Sequence, residues 1–256
     1  MHSETRVADP APKTAPSAAD DWSDVEDWIF DLDNTLYPAG CHLFSQIDAR
    51  MATYIEERLA LSHADARKLQ KEYYVRYGTT LSGLMHEHAV APEEFMSFVH
   101  DIDVSGVPEN PDLARHIADL PGRKFIFTNG SVAHAENVLG KIGLNGLFDD
   151  VFDIAAADFT PKPHMDAYQR FLSRTSVKPD AAAMFEDIAH NLEAPHALGM
   201  RTVLICAAAD WMHDEPAEKR PAHPADDMLA EDHVHHVTED ITAFLGDLIE
   251  QRPAIA

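Results

Sequence analysis

The feature that most constrains this chain is a short apolar run that turns acidic without a break. Asp27-Trp28-Ile29-Phe30 passes directly into Asp31-Leu32-Asp33. The run is too short for a helix, and its sudden acidity is what a buried parallel strand shows where it emerges at its carboxyl end. A second signal begins after Asn110-Pro111, where helical stretches alternate with short apolar runs. That alternation is the pattern of a parallel sheet covered on both faces. Strands are predicted over 124–128, 151–155, 182–185 and 201–206, with a weaker one over 234–237. Helices are predicted over 112–119, 132–142 with Gly143 as a stop, 163–173 with Pro163 as first residue, 192–198 with Gly199 as a stop, and 241–249.

Between the two signals the chain reads as helix alone. Leu43, Ile47, Met51, Ile55 and Leu59 recur at a helical interval, and Phe44 widens the face they form. Ser62 followed by Asp65 resembles a capping box, opening a helix through Tyr73, Tyr74 and Tyr77 that Gly78 can end. Pro92 at a first-turn position, with Phe95, Met96 and Val99 behind it, marks another. The predicted fold class is therefore α/β. A doubly wound, Rossmann-like parallel-sheet core is formed by residues 23–39 and 108–256, and an all-helical domain is inserted at 40–107. Residues 1–22, rich in Ala, Pro, Ser and Asp, have too little apolar surface to offset the entropy of ordering and are expected to form a disordered acidic tail.

Charge narrows the function. Lys and Arg number 20 against 44 Asp and Glu, a net charge of −24, which repels nucleic acid and anionic membrane alike. No stretch approaches the roughly 18 to 20 apolar residues of a membrane helix, and the start lacks the basic end and apolar run of a signal peptide. The two cysteines, Cys41 and Cys206, are too few for a disulfide framework and suit a reducing compartment. A cytoplasmic protein with a small-molecule partner is expected.

In an open α/β sheet, ligands bind beyond the carboxyl ends of the strands. At those ends stand Asp31 and Asp33, then Thr128 and Asn129, then Glu186 and Asp187, while Lys162 precedes a helix in Thr160-Pro161-Lys162-Pro163. Carboxylates converging on one crevice repel each other by about 4 kcal/mol per close pair at an effective dielectric near 20, so a divalent cation is called for. With oxygen ligands and no His or Cys in the group, Mg²⁺ fits better than Zn²⁺, and Mg²⁺ commonly shares its shell with a phosphate. Lys162 supplies positive charge for such a group. Asp31 is placed to attack phosphorus as a nucleophile, and Asp33 to act as general acid and then base. Thr128 Oγ and the backbone N–H of Asn129 are expected to donate to the transferring group, with Glu186 and Asp187 holding the metal.

These residues resemble the motifs of the haloacid dehalogenase superfamily. Asp31-Leu32-Asp33-Asn34-Thr35 resembles its first motif, Thr128-Asn129-Gly130 its second, Lys162 its third and Phe185-Glu186-Asp187 its fourth, over about residues 27–250. The resemblance implies Mg²⁺ bound by Asp31, the backbone carbonyl of Asp33 and the fourth-motif acids, chiefly Asp187. Dehalogenating members typically lack an Asp at the position of Asp33, so the phosphatase branch is implied. The helical insertion is similar to the type 1 cap of that family. Residues 74–84 and the start 30–38 resemble the pyrimidine 5′-nucleotidase subfamily, which implies a pyrimidine nucleoside monophosphate such as UMP or CMP as substrate. Tyr77, Thr79 and Thr80 are then cap residues facing that substrate, although Tyr73, Tyr74 and Tyr77 serve equally well as the cap's own core. A sugar phosphate or phosphoglycolate, or a phosphomutase reaction, is compatible with the same motifs. A non-catalytic binding protein is disfavoured, because both Asp31 and Asp33 are present.

Other residues invite weaker readings. His213, His223, His233, His235 and His236 match no metal-ligand spacing and sit among acids, as in a solvated loop. Cys41 reads as a buried apolar thiol, and His190 as part of a helix start.

Overall fold

The computed structural model describes residues 22–207, 222 and 231–251. Residues 1–21 of the expected tail, and 208–221 and 223–230 with His213 and His223 among them, lie outside the described residues.

Strand β1 (Asp27–Phe30) is buried along its whole length and forms the middle of a parallel sheet. Its neighbours are β2 (Arg123–Phe127) and β4 (Ala182–Glu186), and β3 (Asp150–Phe152), β5 (Arg201–Ile205) and β6 (His236–Thr238) complete the order β3-β2-β1-β4-β5-β6. Ile29 pairs with Phe125 on one side and Met184 on the other, so β1 has no free edge. The chain winds outward from β1 to β3, then returns to β4 and winds the other way. The topological switch point therefore lies between β1 and β4, where a crevice opens beyond the strand ends.

Alternation along β1 sets the two layers. Trp28 and Phe30 face a core shared with α5 (Pro111–Asp119), α6 (Val132–Ile142) and α9 (Ile241–Gln251). Ile29 faces the opposite core, formed with α7 (Met165–Thr175) and α8 (Glu193–Leu198).

The insertion after β1 carries α1 (Leu43–Leu59), α2 (His63–Tyr77), α3 (Thr80–His88) and α4 (Pro92–Val99). These helices bury a third core that includes Ile47, Ile55, Leu84, Phe95 and Val99. Ser62 caps α2 by accepting from Asp65 N at 3.2 Å, and Gly78 ends the helix with φ of 84°. Helix α3 starts at once, with Thr79 Oγ1 accepting from Ser82 N at 3.0 Å. A Cβ at Gly83 would lie 2.4 Å from Tyr73 Cγ, so only glycine allows α3 this close to α2.

The structure corrects several sequence expectations. Trp22 is buried rather than part of a tail: it stacks on Trp28 at 6.1 Å and meets Phe244 edge-on at 6.0 Å. Strand β3 stops at Phe152 because Asp153 Oδ1 accepts from Ala156 N at 2.9 Å, closing a turn in place of a ladder. Helix α7 begins at Met165 rather than Pro163, since residues 161–164 form a turn closed by His164 N to Pro161 O at 3.0 Å. The weak last strand spans His236–Thr238, slightly later than expected.

Candidate active site

Asp31 leaves β1 still hydrogen-bonded into the sheet, its N–H donating to Phe185 O at 2.9 Å. The turn that follows reverses through Asn34 at φ 61° and brings Thr35 Oγ1 back to donate to Asp31 Oδ2 at 3.1 Å. Lys162 reaches the same carboxylate from the other side. Its Nζ donates to Asp31 Oδ1 at 2.6 Å, Glu186 Oε2 at 2.6 Å and Phe127 O at 2.9 Å. Asn129 aims that lysine: its Oδ1 accepts from Lys162 N at 2.9 Å and its Nδ2 donates to Lys162 O at 3.4 Å. Thr128 Oγ1 accepts from Gly130 N at 2.9 Å, and its own hydroxyl proton is left to donate.

At the end of β4, Glu186 Oε1 accepts from Ile188 N at 3.2 Å. Oxygens of Asp31, Glu186 and Asp187 all lie within 4.8 Å of one another, and all three residues are buried. Three carboxylates face one ammonium there, so the group carries excess negative charge. The titration behaviour reflects this. Burial and the nearby Glu186 push Asp31 up to about 7 even though Lys162 pulls it down, and burial with Glu186 and Asp31 beside it raises Asp187 well above the ordinary range. Burial works against the charge of Lys162, but Asp31 and Glu186 raise its pKa beyond the ordinary value. An all-oxygen, over-negative donor set of this kind fits a hard divalent cation.

Asp33 has a different setting. Its Oδ1 accepts from Tyr37 Oη at 2.6 Å and from His134 Nε2 at 2.8 Å. Burial disfavours its charge, yet His134 and the hydrogen bonds hold it down at about 2. His134 stacks on His100 with centroids 4.4 Å apart and planes at 15°. His100 belongs to the insertion and sits at the end of α4; burial and the adjacent His134 push it down to about 3.

A cavity of about 160 Å³ lies over these groups. Asp31, Asp33, Thr128, Asn129, Lys162, Glu186 and Asp187 all line it, so the core residues singled out from sequence are brought together. The insertion supplies a largely apolar roof of Phe44, Ile47, Met51, Tyr74, Leu81 and Met96. Thr79 and Thr80 also line the cavity, but Tyr77 does not. Its ring packs edge-on against Tyr73 at 5.7 Å and its hydroxyl donates to Glu87, while Tyr74, one turn earlier, faces the cavity instead. His190 bonds Glu193 Oε1 at 2.7 Å in a short 3₁₀ turn before α8 and does not line the cavity. His235 Nδ1 lies 2.9 Å from Thr202 Oγ1, and among the described residues the metal-suited cluster is the acidic one.

Sequence reasoning missed Tyr37, His100 and His134. One signal was available: His134, Val138 and Ile142 share the buried face of α6, and a histidine on an apolar stripe needs a partner.

A doubly wound parallel sheet with buried acids and a lysine at its switch point, roofed by an inserted helical unit, defines a Rossmann-like α/β protein with a helical cap. The chain belongs to the haloacid dehalogenase-like hydrolases, whose family model matches residues 29–199. Phosphate metabolism protein 8 of Saccharomyces cerevisiae is 23% identical over 193 residues, which cover 69% of this chain and 60% of that relative. The chain thus spans less than two thirds of that protein's length. L-2-haloacid dehalogenase from Xanthobacter autotrophicus, with chloropropionic acid covalently bound, superposes with a TM-score of 0.53 at 18% identity, covering 91% of this chain and 100% of that one. The putative hydrolase YfnB of Bacillus subtilis, bound to magnesium, superposes with a TM-score of 0.51 at 15% identity, covering 88% and 97%. No described helix is long and apolar enough to cross a membrane.

Proposed function

We propose that this chain is a Mg²⁺-dependent phosphomonoesterase that works through an aspartyl phosphate on Asp31 and acts on a pyrimidine nucleoside 5′-monophosphate. The observation that carries this reading is Asp33: a second carboxylate, two residues beyond Asp31, lines the same cavity beside Lys162 and Thr128. A nucleophilic carboxylate alone would suit displacement of halide. Adding an acid two residues later suits a leaving group that must be protonated as it departs.

Asp31, Asp187 and the backbone carbonyl of Asp33 would hold Mg²⁺, with Glu186 beside them gripping Lys162. When bound, the ion offsets the negative charge of the carboxylates and of the phosphoryl oxygens. The magnesium-bound relative of the same fold agrees with this choice. As the anionic phosphoryl group enters the cavity, its charge raises Asp33 from its low resting value so that Asp33 takes up a proton. Asp31 attacks phosphorus, the bond to the ester oxygen breaks, and Asp33 gives that oxygen the proton. Asp33 then takes a proton from water as the water oxygen attacks phosphorus, releasing inorganic phosphate and regenerating Asp31. Lys162, the Thr128 hydroxyl and the Asn129 backbone N–H stabilise the phosphoryl oxygens as charge develops on them. The apolar roof suits a flat ring, and Tyr74 offers an aromatic face for a base to stack upon.

The test is phosphate release from a panel of pyrimidine and purine 5′-monophosphates, sugar phosphates and phosphoglycolate, with Mg²⁺ and with EDTA. Mg²⁺-dependent preference for UMP and CMP is expected. Preference for another ester overturns the substrate, and release of no phosphate from any ester overturns the reaction.

A further inference from the structure

The donors around Asp33 are placed asymmetrically. Tyr37 and His134 both donate to Oδ1, whereas Oδ2 accepts no hydrogen bond among the described residues. Oδ2 points toward Gly130, 3.8 Å from where a Cβ on that glycine would stand, at the turn that carries Thr128 and Asn129. A carboxyl proton settles on the oxygen that is not already accepting, so two donors on Oδ1 assign Oδ2 as the proton-carrying atom.

His134 is packed against a second histidine. Its ring is almost fully buried, and His100 stacks on its face from the insertion. His100 is anchored in turn, with Nδ1 2.9 Å from Ser131 Oγ. Ser131 caps α6, the helix that carries His134, accepting from His134 N at 3.3 Å. A residue of the inserted unit, a helix cap of the core and the side chain that grips Asp33 thus form one connected group. A positioning shell of this kind is what keeps a reacting group within the fraction of an ångström that proton transfer needs.

We propose that His134 is a positioning residue that turns Asp33 Oδ2 toward the leaving oxygen, and that His100 locks it from the inserted unit, so Asp33 is aligned only when that unit is seated over the cavity. The idea rests on the phosphomonoesterase reading, in which Asp33 Oδ2 loses its proton to the departing ester oxygen as the phosphorus–oxygen bond breaks.

The test compares two leaving groups. An alkyl ester such as UMP needs protonation as it departs, whereas p-nitrophenyl phosphate releases a stable phenolate without it. The parameter is kcat/KM, which reports the step in which the leaving group departs. His134→Ala is expected to lower kcat/KM for UMP by about 10²-fold and for p-nitrophenyl phosphate by less than about 3-fold, within the range general acid catalysis supplies. His134→Gln, which keeps an N–H near the position of Nε2, is expected to recover most of the loss. His100→Ala is expected to show the same contrast at about 10-fold, and it carries the test if His134→Ala does not fold. Equal losses on both esters, or no recovery with Gln, overturn the proposal while leaving the phosphomonoesterase reading standing. A wild-type protein that hydrolyses neither ester overturns both.

Discussion

Replacing Lys162 with Met tests the electrostatics of the site most sharply, because Met keeps the volume and removes the charge. Lys162 is 3% exposed and is the cation shared by Asp31 and Glu186, each at 2.6 Å. Without it, one further carboxyl of the buried trio must take up a proton. Holding a carboxyl neutral at pH 7 when its ordinary value is near 4 costs about 1.4 kcal/mol per pH unit, or about 4 kcal/mol. That agrees with the 3 to 5 kcal/mol typical of breaking a buried ion pair. The direction with pH follows. The folded variant binds one more proton than the unfolded chain between about pH 4 and the raised value, so its stability falls as pH rises through that window. At pH 5 the cost shrinks to about 1 kcal/mol. In metal-free urea denaturation, with a slope of about 2.5 kcal/mol/M, the midpoint is expected to drop by about 1.5 M at pH 7 and about 0.5 M at pH 5. Adding Mg²⁺ should recover part of the loss by supplying positive charge to the same carboxylates. A midpoint that moves by under about 0.3 M at pH 7, or a loss that does not depend on pH, would refute the reasoning.

Other substitutions probe separate parts of the structure. Thr128→Ala removes one hydroxyl donor and should lower phosphate release by about 10²- to 10³-fold without abolishing it; an unchanged rate in a steady-state assay would remove Thr128 from the site. Gly83→Ala forces a methyl to within 2.4 Å of Tyr73 Cγ, so α2 and α3 must separate. A loss of about 1 to 3 kcal/mol in thermal unfolding is expected, and an unchanged melting temperature would mean that the two helices are not held this close. Tyr74→Ala should raise KM for the preferred nucleotide several-fold, while Tyr77→Ala, whose ring is turned toward Tyr73 and Glu87, should leave KM nearly unchanged; the reverse ranking would restore Tyr77 to the substrate wall.

The core of the site was legible because each of its members ends a strand or precedes a helix. Asp31 follows β1, Thr128 follows β2, and Glu186 and Asp187 close β4, so strand recognition and the rule about carboxyl ends bring them together without any knowledge of packing. The groups that serve those residues were not legible. His100 and His134 are far apart in the chain and meet only because the inserted helices dock on α6. Tyr37 reaches Asp33 through the turn that Asn34 makes, a reversal that periodicity does not register. Trp22 was lost to its neighbours: surrounded by Asp and Ala, it reads as tail, yet its indole fills a gap between Trp28 and Phe244. Among the tyrosines of α2, spacing alone could not tell the cavity side from the side facing α3. The close approach at Gly83 decided it, by packing Tyr73 against α3 and leaving Tyr77 to close on Glu87.

The central claim is that phosphate passes through Asp31. It is tested most directly by quenching the enzyme in acid during turnover of a ³²P-labelled nucleoside monophosphate with Mg²⁺ and mapping the label by peptide analysis. The account predicts hydroxylamine-sensitive label on the peptide containing Asp31, absent from Asp31→Asn. Steady phosphate release with no label on the protein, or label retained in Asp31→Asn, would contradict it.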